Sequence, residues 1–266
     1  MYDLTKLPES ITKQIAGLSW DCDDIGMSES TILLFDKMVL KNEKTSRSSE
    51  HERRLLEWLD GKLPVPKIIE ADTRDGYSFL LMTRLPGEMA CSDGSLQNMD
   101  DTVKALANGL KMLWEVDITN CPCLNNVPEK LIQAKFNIDN KLVDMDEFNP
   151  ETFTMEGFKD VPDLFNYLDR NRPIEDLVFS HGDFCLPNLF ISGNNVTGFI
   201  DWGNGGIADR WQDIALCVRS LHHNCTEDAL YDEDDYKRYR ELLFQELGIS
   251  PNEEKIRYFI LLDELF

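Results

Sequence analysis

The sequence has few cysteines for its length and no long apolar run. Its 266 residues include seven cysteines, and no two of them have the C-x-x-C spacing that is common in zinc and redox sites. The longest apolar runs, at 79–82 and 259–262, are far shorter than a bilayer requires. The N-terminus also lacks an apolar core of signal-peptide length. We therefore expect a cytoplasmic protein with no disulfide framework and no membrane partner.

Basic residues are also scarce. The chain has 27 lysines and arginines against 49 aspartates and glutamates, which gives a formal net charge of −22. Nucleic acid would repel such a chain, so we expect no nucleic-acid partner, whereas a cationic ligand would be attracted. A net charge of this sign also keeps an ordinary cytosolic protein in solution, so the charge alone does not identify a function.

The first part of the chain mixes strand and helix signals. Strands are predicted at 31–35, 38–41, 67–70 and 77–83, and helices at 9–18 and 49–60. Ser49 and Glu52 have the spacing of a capping box at the start of the second helix, and Gly61 is a good stop signal after it. Pro86 and Gly87 then end the pattern.

From residue 88 onward the periodicity is mainly helical. One apolar stripe with helical spacing consists of Val103, Leu106, Leu110 and Leu113. Ser250 and Pro251 predict the start of a last helix, and the acidic segment 142–160 predicts a flap over a site. The sequence thus predicts an α+β protein with two lobes, since 42% of its residues are hydrophobic and its length allows a divided core. The first predicted lobe is a small β-rich N-lobe (1–87) with a hinge near 83–87. The second is a larger, mainly helical C-lobe (88–266) that carries a short two-stranded insert.

The segment 177–203 carries the most informative pattern. An apolar run leads into the triplet H-G-D, whose aspartate is Asp183, and Asn188 follows five residues later. After a turn, a second apolar run leads into Asp201. Three oxygen-bearing side chains are therefore predicted at strand ends on one compact hairpin. Such ligands suit Mg²⁺, which commonly binds one or two carboxylates together with substrate phosphates.

Phosphoryl transfer from a nucleotide needs this arrangement. Asp183 would orient the attacking hydroxyl group and accept its proton, while Asn188 and Asp201 would hold Mg²⁺ against the phosphates. The alternative is a hairpin in which the same residues only cap turns, and each residue taken singly would favour that alternative. The complete order H-G-D-x-x-x-x-N, followed by G-F-I-D-x-G, favours the catalytic interpretation.

The ordered set resembles the aminoglycoside 3′-phosphotransferases, a family with a protein-kinase-like fold, and the resemblance covers nearly the whole chain. The segment 206–215 and the terminal D-E-L-F sequence at 263–266 resemble the same family. The resemblance implies that Asp183 is the catalytic residue, that Asn188 and Asp201 bind magnesium, and that ATP or GTP is the co-substrate.

The resemblance also implies a set of nucleotide-binding residues. Lys41, at the end of a predicted strand, would contact the α- and β-phosphates, and an ion pair with Glu52 would hold it in place. That pair competes with the capping-box role for the same carboxylate. Gly26, Met27 and Ser28 would form a loop over the phosphates. Thr83 and Leu85 would contact the adenine edge at the hinge, and Ile200 would pack on the adenine face.

The predicted substrate is a polycation at neutral pH. Carboxylates that converge on a cleft would bind its ammonium groups and steer its approach. A single exposed ion pair contributes only about 0–1 kcal/mol, so several carboxylates must act together. By resemblance, the substrate-binding residues are Asp263, Glu264 and the terminal carboxylate of Phe266, with Asn149 and Glu151 from the acidic flap. The sequence does not predict an oligomeric state.

Two departures from the family pattern bear on specificity. Asn204 stands where relatives often carry arginine, which affects the expected phosphate or nucleotide contacts. His222 and His223 stand where some relatives have an acidic residue near the substrate, which affects the expected drug spectrum.

The leading hypothesis is Mg²⁺-dependent transfer of the nucleotide γ-phosphate to the 3′-hydroxyl group of an aminoglycoside, which would cause antibiotic resistance. One alternative is a kinase of the same fold for another small hydroxylated substrate, such as a macrolide, choline or an amino sugar; the terminal acidic cluster argues against it. The other is a non-catalytic, pseudokinase-like binding module, against which the complete set of catalytic residues argues.

Overall fold

The computed structural model describes residues 4–23, 30–145, 148–226 and 230–266, apart from the side chains of Asp23, Pro150 and Glu151. The N-terminal part contains the strands β1 (Asp21–Asp23), β2 (Thr31–Leu34), β3 (Met38–Lys44), β4 (Ile68–Arg74) and β5 (Tyr77–Thr83). They form one antiparallel sheet in the order β1-β2-β3-β5-β4. The predicted strands are thereby confirmed, and β3 and β4 are longer than predicted.

The strand β5 is apolar throughout its centre because both of its faces are covered. Leu81 lies in a cluster with helix α1 (Glu9–Ile15), on one face of the sheet. Leu80 lies in the main core with helix α2 (Arg47–Leu59), on the other face. Because successive side chains of a strand point to opposite faces, a strand between two layers needs an unbroken apolar run.

Helix α2 begins at a different cap from the predicted one. The hydroxyl group of Ser46 accepts the N–H of Ser49, and the hydroxyl group of Ser49 accepts the N–H of Ser46. The predicted box of Ser49 and Glu52 is therefore wrong, because residues 46 and 49 have the same spacing and lie one turn earlier. The earlier cap leaves the carboxylate of Glu52 for another partner.

The part after residue 88 is mainly helical. Its helices are α3 (Asp93–Leu96), α4 (Met99–Trp114), α5 (Val127–Asn140), α6 (Pro150–Thr154), α7 (Val161–Arg170), α8 (Arg210–Thr226), α9 (Glu233–Leu247) and α10 (Glu253–Asp263). The predicted stripe of α4, from Val103 to Leu113, is fully buried in the main core. Among the described residues, no helix combines the length and the apolar character that crossing a bilayer requires.

The N-cap of helix α10 lies two residues after the predicted one. Asn252 is the N-cap, and its side-chain oxygen accepts the N–H of Lys255 at 3.1 Å. The prediction that Ser250 caps this helix and that Pro251 is its first residue is therefore wrong. Asparagine is as good an N-cap as serine, so the local sequence offered two starts of similar strength.

Short strands in the C-terminal part form two further sheets. The strands are β6 (Glu88–Met89), β7 (Leu177–Ser180), β8 (Leu189–Ser192), β9 (Asn195–Phe199) and β10 (Gly206–Asp209). One sheet has the order β6-β8-β9, and the other consists of β7 and β10; all pairs are antiparallel. The predicted two-stranded insert is thus too small, because β7 and β8 each pair with a strand outside the predicted hairpin region.

A sheet-based N-terminal region and a mainly helical C-terminal region confirm the predicted α+β class. The lobe boundary near residue 87 stays a prediction. The predicted flap at 142–160 contains helix α6, and residues 146–147 within it lie outside the described ranges.

The burial of helix α4 generates a stability prediction. Leu106 is fully buried, whereas Ile132 on α5 is 64% exposed. Leu106→Ala should lower the free energy of unfolding by about 2–5 kcal/mol, because it removes buried methyl groups and leaves a cavity. Ile132→Ala is the matched control and should stay within about 0.5 kcal/mol. Urea denaturation measures both, and a loss below about 1 kcal/mol for Leu106→Ala would contradict the central position of α4.

Candidate active site

The strand β7 and the helix α8 fix the loop that carries Asp183. The strand ends at Ser180, and the backbone N–H groups of His181 and Gly182 donate to the two carboxylate oxygens of Asp213 at 2.8 and 2.9 Å. Asp213 lies on α8 and is fully buried. Burial raises the pKa of this carboxyl group, while His181 and the backbone donors act in the opposite direction. A buried carboxylate therefore sets the direction in which the loop leaves the sheet.

Gly182 is required by a close contact between two loops. Its φ is +82°, and a Cβ atom at this position would lie 1.7 Å from the carbonyl oxygen of Asn204. No side chain is compatible with that distance, and the left-handed conformation itself favours glycine. The loop that carries Asp183 is therefore in backbone contact with the loop that follows Asp201.

Asp183 is held by two neighbouring side chains. Asn188, at the end of a 3₁₀ turn, donates from Nδ2 to the carbonyl oxygen and to Oδ2 of Asp183, both at 3.0 Å. The thiol of Cys185 donates to Oδ1 at 3.0 Å. Burial and the adjacent Asp183 carboxylate raise the pKa of this thiol well above its usual value, so it remains protonated and remains a donor. Each oxygen of Asp183 thus accepts one hydrogen bond, and the residue stays partly exposed.

The strand β9 brings Asp201 next to the turn that holds Asn188. The N–H of Ile200 donates to the backbone oxygen of Asn188 at 3.0 Å, and Nε2 of the His181 ring donates to the carbonyl oxygen of Ile200 at 2.9 Å. Asp201 then adopts a φ of +61°, which is uncommon for a residue other than glycine. Its side chain is 49% exposed. The structure therefore brings Asp183, Asn188 and Asp201 together on adjoining turns.

Lys41 joins the sheet of the N-terminal part to this site. Its Nζ lies 2.8 Å from Oε2 of Glu52 and 3.4 Å from Oδ1 of Asp201, and Glu43 lies at 3.6 Å. Burial disfavours the charge on Lys41, but Glu52, Asp201 and Glu43 together raise its pKa above the ordinary value. Lys41 is therefore charged, and the predicted ion pair with Glu52 is present in place of a capping box.

One detail of the Lys41 prediction is wrong. Lys41 lies in the middle of β3 and not at its end, because the pairing of β3 with β5 continues as far as Lys44 opposite Tyr77. The backbone of Lys41 is fixed more firmly in a strand interior than at a strand end, because the hydrogen bonds between the strands continue on both sides of it.

The predicted adenine contacts lie at the end of β5, in the segment that follows it, and directly after β9. The N–H of Thr83 donates to the carbonyl oxygen of Lys67, and its hydroxyl oxygen accepts the N–H of Lys67, both at 2.9 Å, so this N–H is engaged within the protein. The side chain of Leu85 covers Gly198, where a Cβ atom would lie 2.4 Å from Leu85 Cδ1. Ile200 is partly exposed. The predicted phosphate loop, Gly26, Met27 and Ser28, lies outside the described residues.

The predicted substrate-binding residues lie at the end of the chain. The carboxylate of Asp263 pairs with Arg219 at 2.5 Å, and that of Glu264 accepts the N–H of Asn149 at 2.8 Å. Phe266 is 39% exposed. The structure therefore brings the acidic flap and the terminal cluster together, but the charge of Asp263 already has a partner. The side chain of Glu151 lies outside the described part of the chain.

Three functional-site neighbours were missed by the sequence reasoning. Asp213 holds the Asp183 loop, Arg219 holds Asp263, and Lys130 lies buried beside Phe266. The sequence did indicate a structural role for Asp213, because an aspartate within an apolar helical stripe needs buried hydrogen-bond donors. Arg219 and Lys130 had no such signal in the sequence, because their contacts join segments far apart in the chain.

A sequence profile of the phosphotransferase enzyme family matches residues 26–257. An aminoglycoside 3′-phosphotransferase from Enterococcus faecalis is 40% identical over 224 residues, which cover 84% of this chain and 80% of that protein. The chain belongs to the aminoglycoside 3′-phosphotransferase family. The family membership predicted from the motifs is thus confirmed, and the protein is a phosphotransferase enzyme.

Solved structures agree with the family assignment. An aminoglycoside 3′-phosphotransferase of type VIII superposes with a TM-score of 0.79 at 27% identity and covers 96% of both chains. An aminoglycoside phosphotransferase from Streptomyces rimosus has a TM-score of 0.82 at 22% identity, covering 100% of this chain and 99% of that one. The phosphotransferase therefore shares the fold of these enzymes over at least 96% of its chain.

The contact between the two loops generates a prediction for the phosphotransferase. Gly182→Ala should lower the free energy of unfolding by more than about 2 kcal/mol, because the new methyl group meets a backbone carbonyl and the residue keeps a left-handed conformation. Gly193→Ala is the matched control: its φ is +58°, and nothing lies within 4 Å of the added Cβ. It should cost about 1 kcal/mol, the conformational penalty alone. Equal losses in urea denaturation would show that the loops do not meet as described.

Proposed function

We propose that this phosphotransferase transfers the γ-phosphate of ATP or GTP to the 3′-hydroxyl group of an aminoglycoside and thereby confers resistance to the drug. The observation that carries the proposal is the convergence of Asp183, Asn188 and Asp201 on adjoining turns, with the ammonium group of Lys41 3.4 Å from Asp201. The relatives named as aminoglycoside 3′-phosphotransferases support the hydroxyl position.

Asp183 is the proposed catalytic residue. Its two oxygens accept hydrogen bonds from Asn188 and Cys185, so the carboxylate is oriented before a substrate arrives. It would align the attacking hydroxyl group and accept its proton. Since the transition state of phosphoryl transfer is loose, orientation matters more than base strength. A carboxylate with two fixed donors supports this role.

The nucleotide is proposed to lie between the N-lobe (1–87) and the C-lobe (88–266). Lys41, held by Glu52, would contact the α- and β-phosphates. A lysine surrounded by carboxylates keeps its charge, and phosphates are well placed to compete for it. The loop of Gly26, Met27 and Ser28 would cover the phosphates, and Thr83, Leu85 and Ile200 would contact the adenine.

Asn188 and Asp201 are proposed to hold magnesium. Because Nδ2 of Asn188 is used twice by Asp183, its Oδ1 is the atom left to face a ligand. The half-exposed carboxylate of Asp201 supplies a second hard oxygen, and this donor set fits Mg²⁺, which takes its other ligands from phosphates and water. Magnesium, when bound, neutralises charge on the phosphate oxygens.

The terminal acidic cluster is proposed to bind the cationic drug. Glu264 and the terminal carboxylate of Phe266 would contact ammonium groups directly. Asp263 is shared with Arg219, so its contribution is smaller than a free carboxylate would make. Asn149 and Glu151 would complete the site from the flap. The net charge of −22 would steer a polycation towards the protein.

A coupled nucleotide-consumption assay tests the proposed reaction. Kanamycin has a 3′-hydroxyl group, whereas its relative tobramycin lacks one. We expect magnesium-dependent turnover with kanamycin only, because tobramycin offers no acceptor at that position. Turnover of both drugs would assign the phosphate to another hydroxyl group. Turnover of neither, by protein that binds nucleotide, would contradict the aminoglycoside assignment.

A single substitution tests the role of Asp183. Asp183→Asn should lower kcat by about 10²–10⁴, the usual contribution of a positioned acid or base, and should leave nucleotide binding unchanged. Asp101→Asn is the control, since Asp101 is an exposed aspartate on α4. A change in kcat below about threefold for Asp183→Asn would reject the assignment.

A further inference from the structure

Helix α5 buries polar side chains and exposes apolar ones. Lys130 and Asn137 are 5% and 8% exposed, whereas Ile132 and Phe136 are 64% and 53% exposed. Burial of an ammonium or amide group is unfavourable unless other groups compensate it. The same face also buries Val127, Leu131 and Ala134, so hydrophobic burial orients the helix, and the two polar side chains buried with them must make specific contacts.

Asn137 holds the end of the chain directly. Its Nδ2 donates to the carbonyl oxygen of Leu265 at 2.9 Å. Its Oδ1 accepts a hydrogen bond from Gln133, whose Oε1 accepts one from Arg47, both at 3.0 Å. Leu265 is fully buried. A chain of three hydrogen bonds thus connects Arg47 in the first turn of α2 with Leu265.

Lys130 lies on the same face of α5, seven residues before Asn137. Its Nζ lies 4.7 Å from the centre of the Phe266 ring, within the range of a cation–π interaction. Within the described ranges of the chain, no hydrogen bond or ion pair engages this ammonium group. Burial lowers the pKa of Lys130, and the carboxylates of Asp263, Asp183 and Asp213 oppose that shift. The ring of Phe266 is therefore the direct partner of a buried cation.

A cavity of about 200 Å³ lies beside Lys130 and also borders Asn204 and Phe266. The size of this cavity decides which substitutions of Lys130 can be accommodated. Methionine has nearly the length of lysine, so Lys130→Met removes the charge without a large change in packing. Arginine keeps the charge, and the cavity has room for its larger head group.

We propose that Lys130 is a positioning residue for aminoglycoside binding, which holds Phe266 and thereby the acidic residues Asp263 and Glu264 that precede it in the proposed drug site. The inference rests on the proposed function, because that function assigns the terminal cluster to the drug. An ammonium group repels a polycationic substrate, so a direct contact would weaken binding. A favourable role for Lys130 must therefore be indirect, through the residue it holds.

The sign of the change in KM separates the indirect role from simple repulsion. Lys130→Met should raise the KM for kanamycin about tenfold, equivalent to roughly 1.4 kcal/mol, and leave kcat and the KM for ATP within about twofold. Lys130→Arg should restore most of the loss. If Lys130 acted only as a repelling charge, its removal would lower the KM, and that outcome would overturn the proposal. Lys135→Met is the control on the same helix, since Lys135 is 54% exposed and pairs with Asp139.

Two further measurements test whether Lys130 acts through Phe266. In a chain that ends at Leu265, Lys130→Met should change the KM for kanamycin by less than about twofold, because the coupled partner is already absent. An equal effect in both backgrounds would reject the link. Carboxypeptidase should release Phe266 from the Lys130→Met variant about tenfold faster than from the wild type, since less stabilised termini open more often.

The release assay does not depend on the substrate, so the two proposals can fail separately. Unchanged release of Phe266 from an otherwise active variant would reject the role of Lys130 and leave the proposed function intact. No aminoglycoside turnover by the wild type would reject the proposed function and the substrate role of Lys130 with it. Lys130→Gln, which keeps a polar head group, takes the place of Lys130→Met in every measurement if the latter fails to fold.

Discussion

The candidate active site depends on one buried carboxylate. Asp213 accepts the N–H groups of His181 and Gly182, and a carboxylate without such donors would not be stable in this position. The pair of bonds fixes the backbone immediately before Asp183. It also places Gly182 against the carbonyl group of Asn204, so the loop after Asp201 is in backbone contact with the loop that carries Asp183. The geometry of both loops therefore depends on a carboxylate of α8 that is fully buried.

Cations are few in this chain, and those near the site lie beside carboxylates or an aromatic ring. Lys41 lies between Glu52 and Asp201, Arg219 pairs with Asp263, and Lys130 faces Phe266. Each of them fixes a segment from a distant part of the sequence. In a chain with a net charge of −22, such cations are what allow acidic residues to converge without mutual repulsion.

The sequence predicted what local patterns control. The buried stripe of α4, the strands of the N-terminal sheet and the order of Asp183, Asn188 and Asp201 were all visible, because periodicity and motif spacing are local properties. Helix starts were predicted less well. Ser46 and Asn252 replaced Ser49 and Ser250 as caps, since several residues of similar capping strength stand within one turn of each other.

The sequence by itself determined the fold class, the family and the residue types needed for phosphoryl transfer. The tertiary structure alone decided which partner each charged group has. Glu52 pairs with Lys41 rather than with a helix end, Asp263 is shared with Arg219, and Lys130 lies against the last residue of the chain. The physical reason is that these contacts join segments between about ten and more than a hundred residues apart, and their strength depends on burial, which packing sets and spacing does not.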